Sequence, residues 1–146
     1  MDDTTLVLER LIDATPERVF SAWTDRAAME QWYRDGDGWI VQVTDLDVRV
    51  GGTYRVEFGP AGEAPYVEFG TYLEIDPPRR LVMTETLTGV PTPWADTTVT
   101  VELFDEGGKT RCVLTHTGFP SKEHRDNAQG GWPGFLERIE RLLAPS

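Results

Sequence analysis

Glu85 interrupts an otherwise apolar strand face. In Arg80-Leu81-Val82-Met83-Thr84-Glu85-Thr86-Leu87-Thr88 the alternate positions Leu81, Met83 and Leu87 are apolar, and Glu85 shares their side. Turned inward, its carboxyl loses solvation, its pKa rises, and it becomes a proton donor or a hydrogen-bonding anchor. Turned outward by a bulge, or paired with an inward arginine, it is neither. His116 falls at the far end of a neighbouring strand, where a ring nitrogen would reach Glu85, a ligand or merely backbone. The two form an acid–base couple only if both face one space within hydrogen-bond reach.

Other reactive residue types point to structure. Asp47 and Arg49, two apart on an extended segment, share a face and pair with each other or with adjacent strands. Gly51-Gly52 suits a sharp turn or bulge. Cys112 sits mid-strand with no positive cluster nearby and reads as a small buried hydrophobe. Two histidines and one cysteine give no recognised zinc spacing, and no phosphate-cradling loop, Gly-x-Ser-x-Gly elbow or His-Glu-x-x-His occurs. No metal and no cofactor are therefore expected.

The elements that would position these residues follow from periodicity. Thr5 to Ile12 alternates as a strand, and Thr15-Pro16-Glu17 is a helix start with Val19, Phe20 and Trp23 on its apolar side. A second short helix covers Arg26 to Tyr33 and stops at Asp35-Gly36-Asp37-Gly38. Six strands follow: Trp39–Thr44, Thr53–Phe58, Tyr66–Ile75, Arg80–Thr88, Thr97–Phe104 and Lys109–Thr117. Their short turns leave no room for helical crossovers, so the sheet is an antiparallel meander. Trp132, Leu136, Ile139 and Leu143 recur at helical spacing, widened by Phe135 and Leu142. Gly130, Gly131 and Pro133 predict a kink or a second helix start. This amphipathic tail belongs on the concave face of a curved sheet.

Composition limits what such a domain does. The 146 residues suit a single domain, 1–146, and 14 Lys+Arg against 25 Asp+Glu give a net charge of −11. That surface repels nucleic-acid backbones and anionic membranes, so neither is an expected partner. With one cysteine, no apolar leader and no bilayer-length apolar run, the expected location is cytoplasmic.

The order β–α–α–β(six)–α resembles the START-like helix-grip (SRPBCC) superfamily, and within it the branch named after the activator of the 90-kDa heat-shock protein ATPase. Ala14-Thr15-Pro16-Glu17-Arg18-Val19-Phe20-Ser21-Ala22-Trp23-Thr24 is similar to its opening helix, and Gln31-Trp32-Tyr33 to its second. Asp47-Val48-Arg49-Val50-Gly51-Gly52, Gly70–Pro78, His116-Thr117-Gly118-Phe119 and Gly131-Trp132 carry the rest of the likeness. The resemblance implies an α+β fold: a seven-stranded antiparallel sheet curved around a long C-terminal helix, with two short helices between strands 1 and 2. It also implies a gap between sheet and helix where ligands sit.

Alternation assigns a lining to that gap. Tyr54, Val56 and Phe58 share one face, as do Val101 with Val99 and Leu103, and Leu114 with His116. With Met83, Glu85, Trp132, Phe135 and Ile139 they make an apolar wall, to which Tyr33 adds a hydroxyl. Trp94, in the Gly89–Trp94 loop, is either a lid or packed under its own turn. The leading expectation is a hydrophobic cavity that binds an apolar or aromatic small molecule, without catalysis. The alternatives are a polyketide cyclase-like enzyme (cyclase, dehydratase or hydrolase) with Glu85 and His116 as acid and base, and a co-chaperone-like interaction domain. A sheet edge leaves a homodimer open.

Overall fold

The computed structural model describes residues 3–144. Strand β1 (Thr5–Ile12) leads into helices α1 (Pro16–Thr24) and α2 (Arg26–Trp32). Strands β2 (Trp39–Leu46), β3 (Thr53–Pro60), β4 (Tyr66–Asp76), β5 (Arg80–Thr88), β6 (Trp94–Glu106) and β7 (Lys109–Thr117) follow, and helix α3 (Lys122–Leu143) closes the chain. The strands form one sheet in the order β1-β7-β6-β5-β4-β3-β2, antiparallel throughout, with β1 and β2 at its edges. This is the curved seven-stranded α+β arrangement that the sequence pattern implies.

Local chemistry sets the helix starts. Thr15 Oγ1 accepts from the Arg18 amide, Asp25 Oδ2 from Ala28, and Ser121 Oγ from His124, so each first turn has an otherwise orphaned N–H satisfied. Pro16 fills the first helical position of α1, where its missing N–H costs nothing. Helix α3 runs unbroken through Gly130, Gly131 and Pro133 and does not restart there. Only one helical bond, to the Gln129 carbonyl, is lost at Pro133. At 22 residues, α3 spans roughly 33 Å.

Helix α3 turns Ala128, Trp132, Leu136, Ile139 and Leu143 to the core. Arg138 ties it to α2 by donating from Nε to the Trp32 carbonyl at 2.8 Å and from Nη1 to Asp35 at 2.9 Å. Arg10 on β1 meets Glu140 at 3.0 Å on the other side.

The turn between β2 and β3 gives Asp47 and Arg49 their role. Their side chains pair at 2.7 Å in the open, while the Gly52 amide donates to the Arg49 carbonyl. Glycine is required at 52, because a Cβ there would lie 2.0 Å from the Asp47 carbonyl oxygen. The turn is sewn to β4 by Gly51 N–H to Tyr72 O and Tyr72 N–H to Gly52 O, both 2.9 Å. Cys112 is fully buried, and burial pushes its thiol up to about 12, which removes it as a nucleophile.

Candidate functional site

Glu85 points inward. Its side chain is almost wholly buried, and so is that of Glu68 on the adjoining strand β4. The two carboxyls face the same space and act on each other electrostatically. Tyr33 at the end of α2 donates its O–H to Glu68 Oε2 at 2.7 Å. Tyr54 donates to the Thr84 carbonyl at 2.8 Å, and its oxygen also lies against Glu68. That carbonyl reaches inward because β4 has Gly70 beside it: a Cβ there would sit 1.9 Å from the Thr84 oxygen. Burial raises the pKa of both carboxyls. The hydrogen bond from Tyr33 and the neighbouring Glu85 and Tyr54 side chains offset part of that rise at Glu68, whereas Glu85, facing Glu68, is held well above the carboxylate range. The pair thus titrates as a unit, above the ordinary carboxylate range.

His116 completes a one-way chain. Trp132 Nε1, which can only donate, bonds to His116 Nδ1 at 3.0 Å. The ring proton therefore sits on Nε2, which lies 2.8 Å from Thr97 Oγ1, and Thr97 passes its own hydroxyl proton to the Glu85 carbonyl at 2.7 Å. Burial pushes the His116 pKa down to about 3, so the ring is neutral. Nε2 also stands 3.2 Å from Glu85 Oε2, yet its hydrogen is directed at Thr97. Among the described residues Glu85 Oε2 is left without a hydrogen-bond partner. The Glu85–His116 proximity is real, but an acid–base couple is not: the ring has no free lone pair to receive a proton.

A cavity of about 200 Å³ opens beside the carboxyl pair, at one end of the sheet. The N-terminal half of α3 covers it with Asn127, Ala128, Gly131, Trp132 and Phe135. Phe58, Tyr66, Leu87, Val90 and Trp94 form its walls, and Glu68 and Glu85 are its acidic groups. Behind them a closed void of about 10 Å³ touches Tyr33, Tyr54 and Met83. The core is thus neither hollow nor solid throughout.

Of the residues assigned by alternation to a ligand cavity, Phe58, Glu85, Trp94, Trp132 and Phe135 line the open space. Tyr33, Tyr54 and Met83 line only the closed void. Val56, Val101, Leu114 and Ile139 are at most 1% exposed and line neither of these spaces. Alternation identifies the inner face but not where along the strand the packing opens, and these four lie where it is tight. His116 is also set back from the cavity, on β7, with β6 between it and Glu85. Trp94 begins β6 and is buried, edge-on to His116 and Phe119 at 5.9 and 5.2 Å. The strand extends back past Thr97 through Asp96, which adopts a positive φ of 53°.

Sequence reasoning missed Glu68. Tyr66, Glu68, Gly70 and Tyr72 share the inner side of β4, but the outer side carries Phe69 and Leu73, 38% and 48% exposed. Polarity alternation is therefore blurred in this strand. The signal available was an acidic residue between two tyrosines at period two.

A curved antiparallel sheet gripping a long terminal helix defines the START-like helix-grip class, a fold that commonly binds hydrophobic ligands. The chain belongs to the family described as activator of Hsp90 ATPase homolog 1-like protein, whose profile matches residues 13–144. A protein from Chromobacterium violaceum is similar over 97% of this chain and 99% of its own, at 29% identity and a TM-score of 0.83. A Rhizobium loti protein matches at 30% identity and a TM-score of 0.79, covering 94% of each chain. The AHSA1-like protein from Aeromonas hydrophila, 24% identical with a TM-score of 0.78 over 94% of this chain and 90% of its own, shares the fold. No curated protein matches the sequence.

Proposed function

We propose that this domain binds a small, largely apolar molecule under the N-terminal half of α3. The observation that carries the reading is a largely apolar cavity with two buried carboxyls as its polar end. Ligand pockets share that design: apolar area supplies affinity at about 25 cal/mol per Å², and a few polar groups fix orientation. Phe58, Trp94, Trp132 and Phe135 supply the area and Glu85 the orientation. At about 200 Å³ the space suits a single-ring compound better than a lipid chain.

A hydrophobic fluorescent probe titrated into the protein tests this. The expected result is saturable binding that Phe135→Ala alters and that Gly131→Leu, which adds bulk to a residue of the cavity lining, weakens. Probe binding indifferent to both substitutions removes the proposal.

A second reading has one specific observation behind it. A protonated Glu85 beside an ionisable Glu68 could act as general acid on a bound substrate. Glu85→Gln would then abolish turnover while leaving the binding of ground-state ligand nearly intact.

A further inference from the structure

The cavity's charged groups are one-sided. Glu68 and Glu85 line it beside the amide of Asn127 and the ring of Tyr66, and among the described residues no lysine, arginine or histidine does; the buried Trp94 indole N–H, with no acceptor among the described residues, is a donor at its wall. The titratable groups packed on the pair are Tyr33 beside α2, Tyr54 from β3, Tyr72 from β4 and His116 from β7. None of them is a cation: the tyrosines are neutral and His116, its Nδ1 occupied by Trp132, is neutral too. Arg138 reaches only the Phe135 ring, 4.8 Å from its centroid, and its N–H groups are committed to Asp35 and the Trp32 carbonyl. Glu85 Oε2 is buried and, among the described residues, makes no hydrogen bond, the His116 Nε2–H 3.2 Å away being directed at Thr97.

The walls reinforce that sign. The cavity is lined by Phe58, Tyr66, Trp94, Trp132 and Phe135, and aromatic faces present negative charge that attracts ammonium groups. Trp132 and Phe135 meet at 64° with centroids 5.6 Å apart, and Phe58 and Phe135 at 73° and 6.4 Å, so the rings form a box around the space. A neutral ligand would leave the box's electrostatics unused, and an anion would meet the carboxyls. The protein's charge of −11 further draws cations toward it.

We infer that the cavity selects an organic cation, a small aromatic or aliphatic amine whose ammonium meets the Glu68–Glu85 pair while its apolar body lies among Trp94, Trp132 and Phe135. This inference rests on the binding function proposed above. Burial and the facing Glu68 carboxyl hold the pKa of Glu85 up; an ammonium beside the pair supplies the positive partner that the lining does not.

Three ligands of matched shape decide it: 2-phenylethylamine, 2-phenylethanol and 3-phenylpropanoate, each titrated calorimetrically into the full chain at pH 7. The amine is expected to bind at least about tenfold tighter than the alcohol, a ratio within reach of a desolvated cation–π contact, and the carboxylate weakest. Glu85→Gln and Glu68→Gln should each narrow the amine-to-alcohol ratio while retaining alcohol binding. Alcohol binding equal to amine binding, or tightest binding of the carboxylate, overturns the cation inference and leaves the cavity function standing. Binding of none of the three removes both. Because the ligand series is read on the unmutated protein, the outcome does not depend on whether either variant folds.

Discussion

The indole N–H of Trp132 on α3 donates to Nδ1 of His116 on β7 at 3.0 Å, and this bond fixes the chemistry of the buried site. It forces the ring proton onto Nε2, makes the imidazole a donor to Thr97, and leaves the carboxyl pair without a cation. The helix is therefore docked to the sheet by the same contact that determines what the histidine can do. His116 is a positioning residue for Trp132, and through Thr97 for the Glu85 backbone.

Replacing His116 by Phe should destabilise the fold by about 1–3 kcal/mol, because a buried indole donor loses its acceptor. Chemical denaturation measures this. Trp132→Phe should cost less beyond its packing loss, since it removes the donor itself. If His116→Phe unfolds at the wild-type midpoint, the bond is not structurally important.

Stability should depend on pH with opposite slopes on two sides. His116 is about 3 in the folded chain against 6.5 unfolded, so the unfolded state binds more protons in between and stability is lost as pH falls below 6.5. Glu68 and Glu85 are raised above 4.5, so the folded state binds more protons there and stability is lost as pH rises from 4.5 through the pair's folded titration. The two effects oppose each other above 4.5, where the raised carboxyls and the depressed histidine overlap. Denaturant midpoints across pH should show Glu85→Gln flattening the alkaline limb and His116→Gln the acid limb. An unchanged alkaline limb in Glu85→Gln would contradict the buried, protonated assignment.

Gly131 is a lever on the cavity that leaves the fold alone. A Cβ there meets no atom within 4 Å, and the residue is helical. Gly131→Ala should therefore raise stability by about 0.5–1 kcal/mol from reduced backbone entropy. Thermal unfolding of this variant reads out the prediction, and a lowered midpoint would mean that the space above the cavity is not open.

Gly70 should behave oppositely. A methyl group 1.9 Å from the Thr84 carbonyl oxygen forces β4 and β5 apart, and overpacking of that kind costs about 1–3 kcal/mol. Gly70→Ala should also loosen the Tyr54 bond to that carbonyl, visible as faster hydrogen exchange in β4 and β5. Wild-type stability in this variant would rule out the close approach.

The architecture was readable because its determinants are local: a Thr-Pro-Glu helix start, Gly-rich turns between alternating segments, and one long amphipathic tail. Glu85 was readable for the same reason, as a single break in a clean period. Glu68 was not, because Phe69 and Leu73 put apolar groups on the solvent side of its strand. The protonation of His116 was beyond reach as well, since it depends on Trp132, sixteen positions away on a different element. Nor does periodicity carry volume: Val56 and Phe58 share a face, yet only Phe58 borders open space.

The five tryptophans provide the most direct test of the binding claim. Titrating a single-ring apolar amine into nitrogen-15-labelled protein, the account predicts shifts in the indole N–H signals of Trp94 and Trp132, which border the cavity, with that of Trp39 unmoved. Unmoved Trp94 and Trp132 signals at saturating ligand, or shifts confined to Trp39, would contradict it.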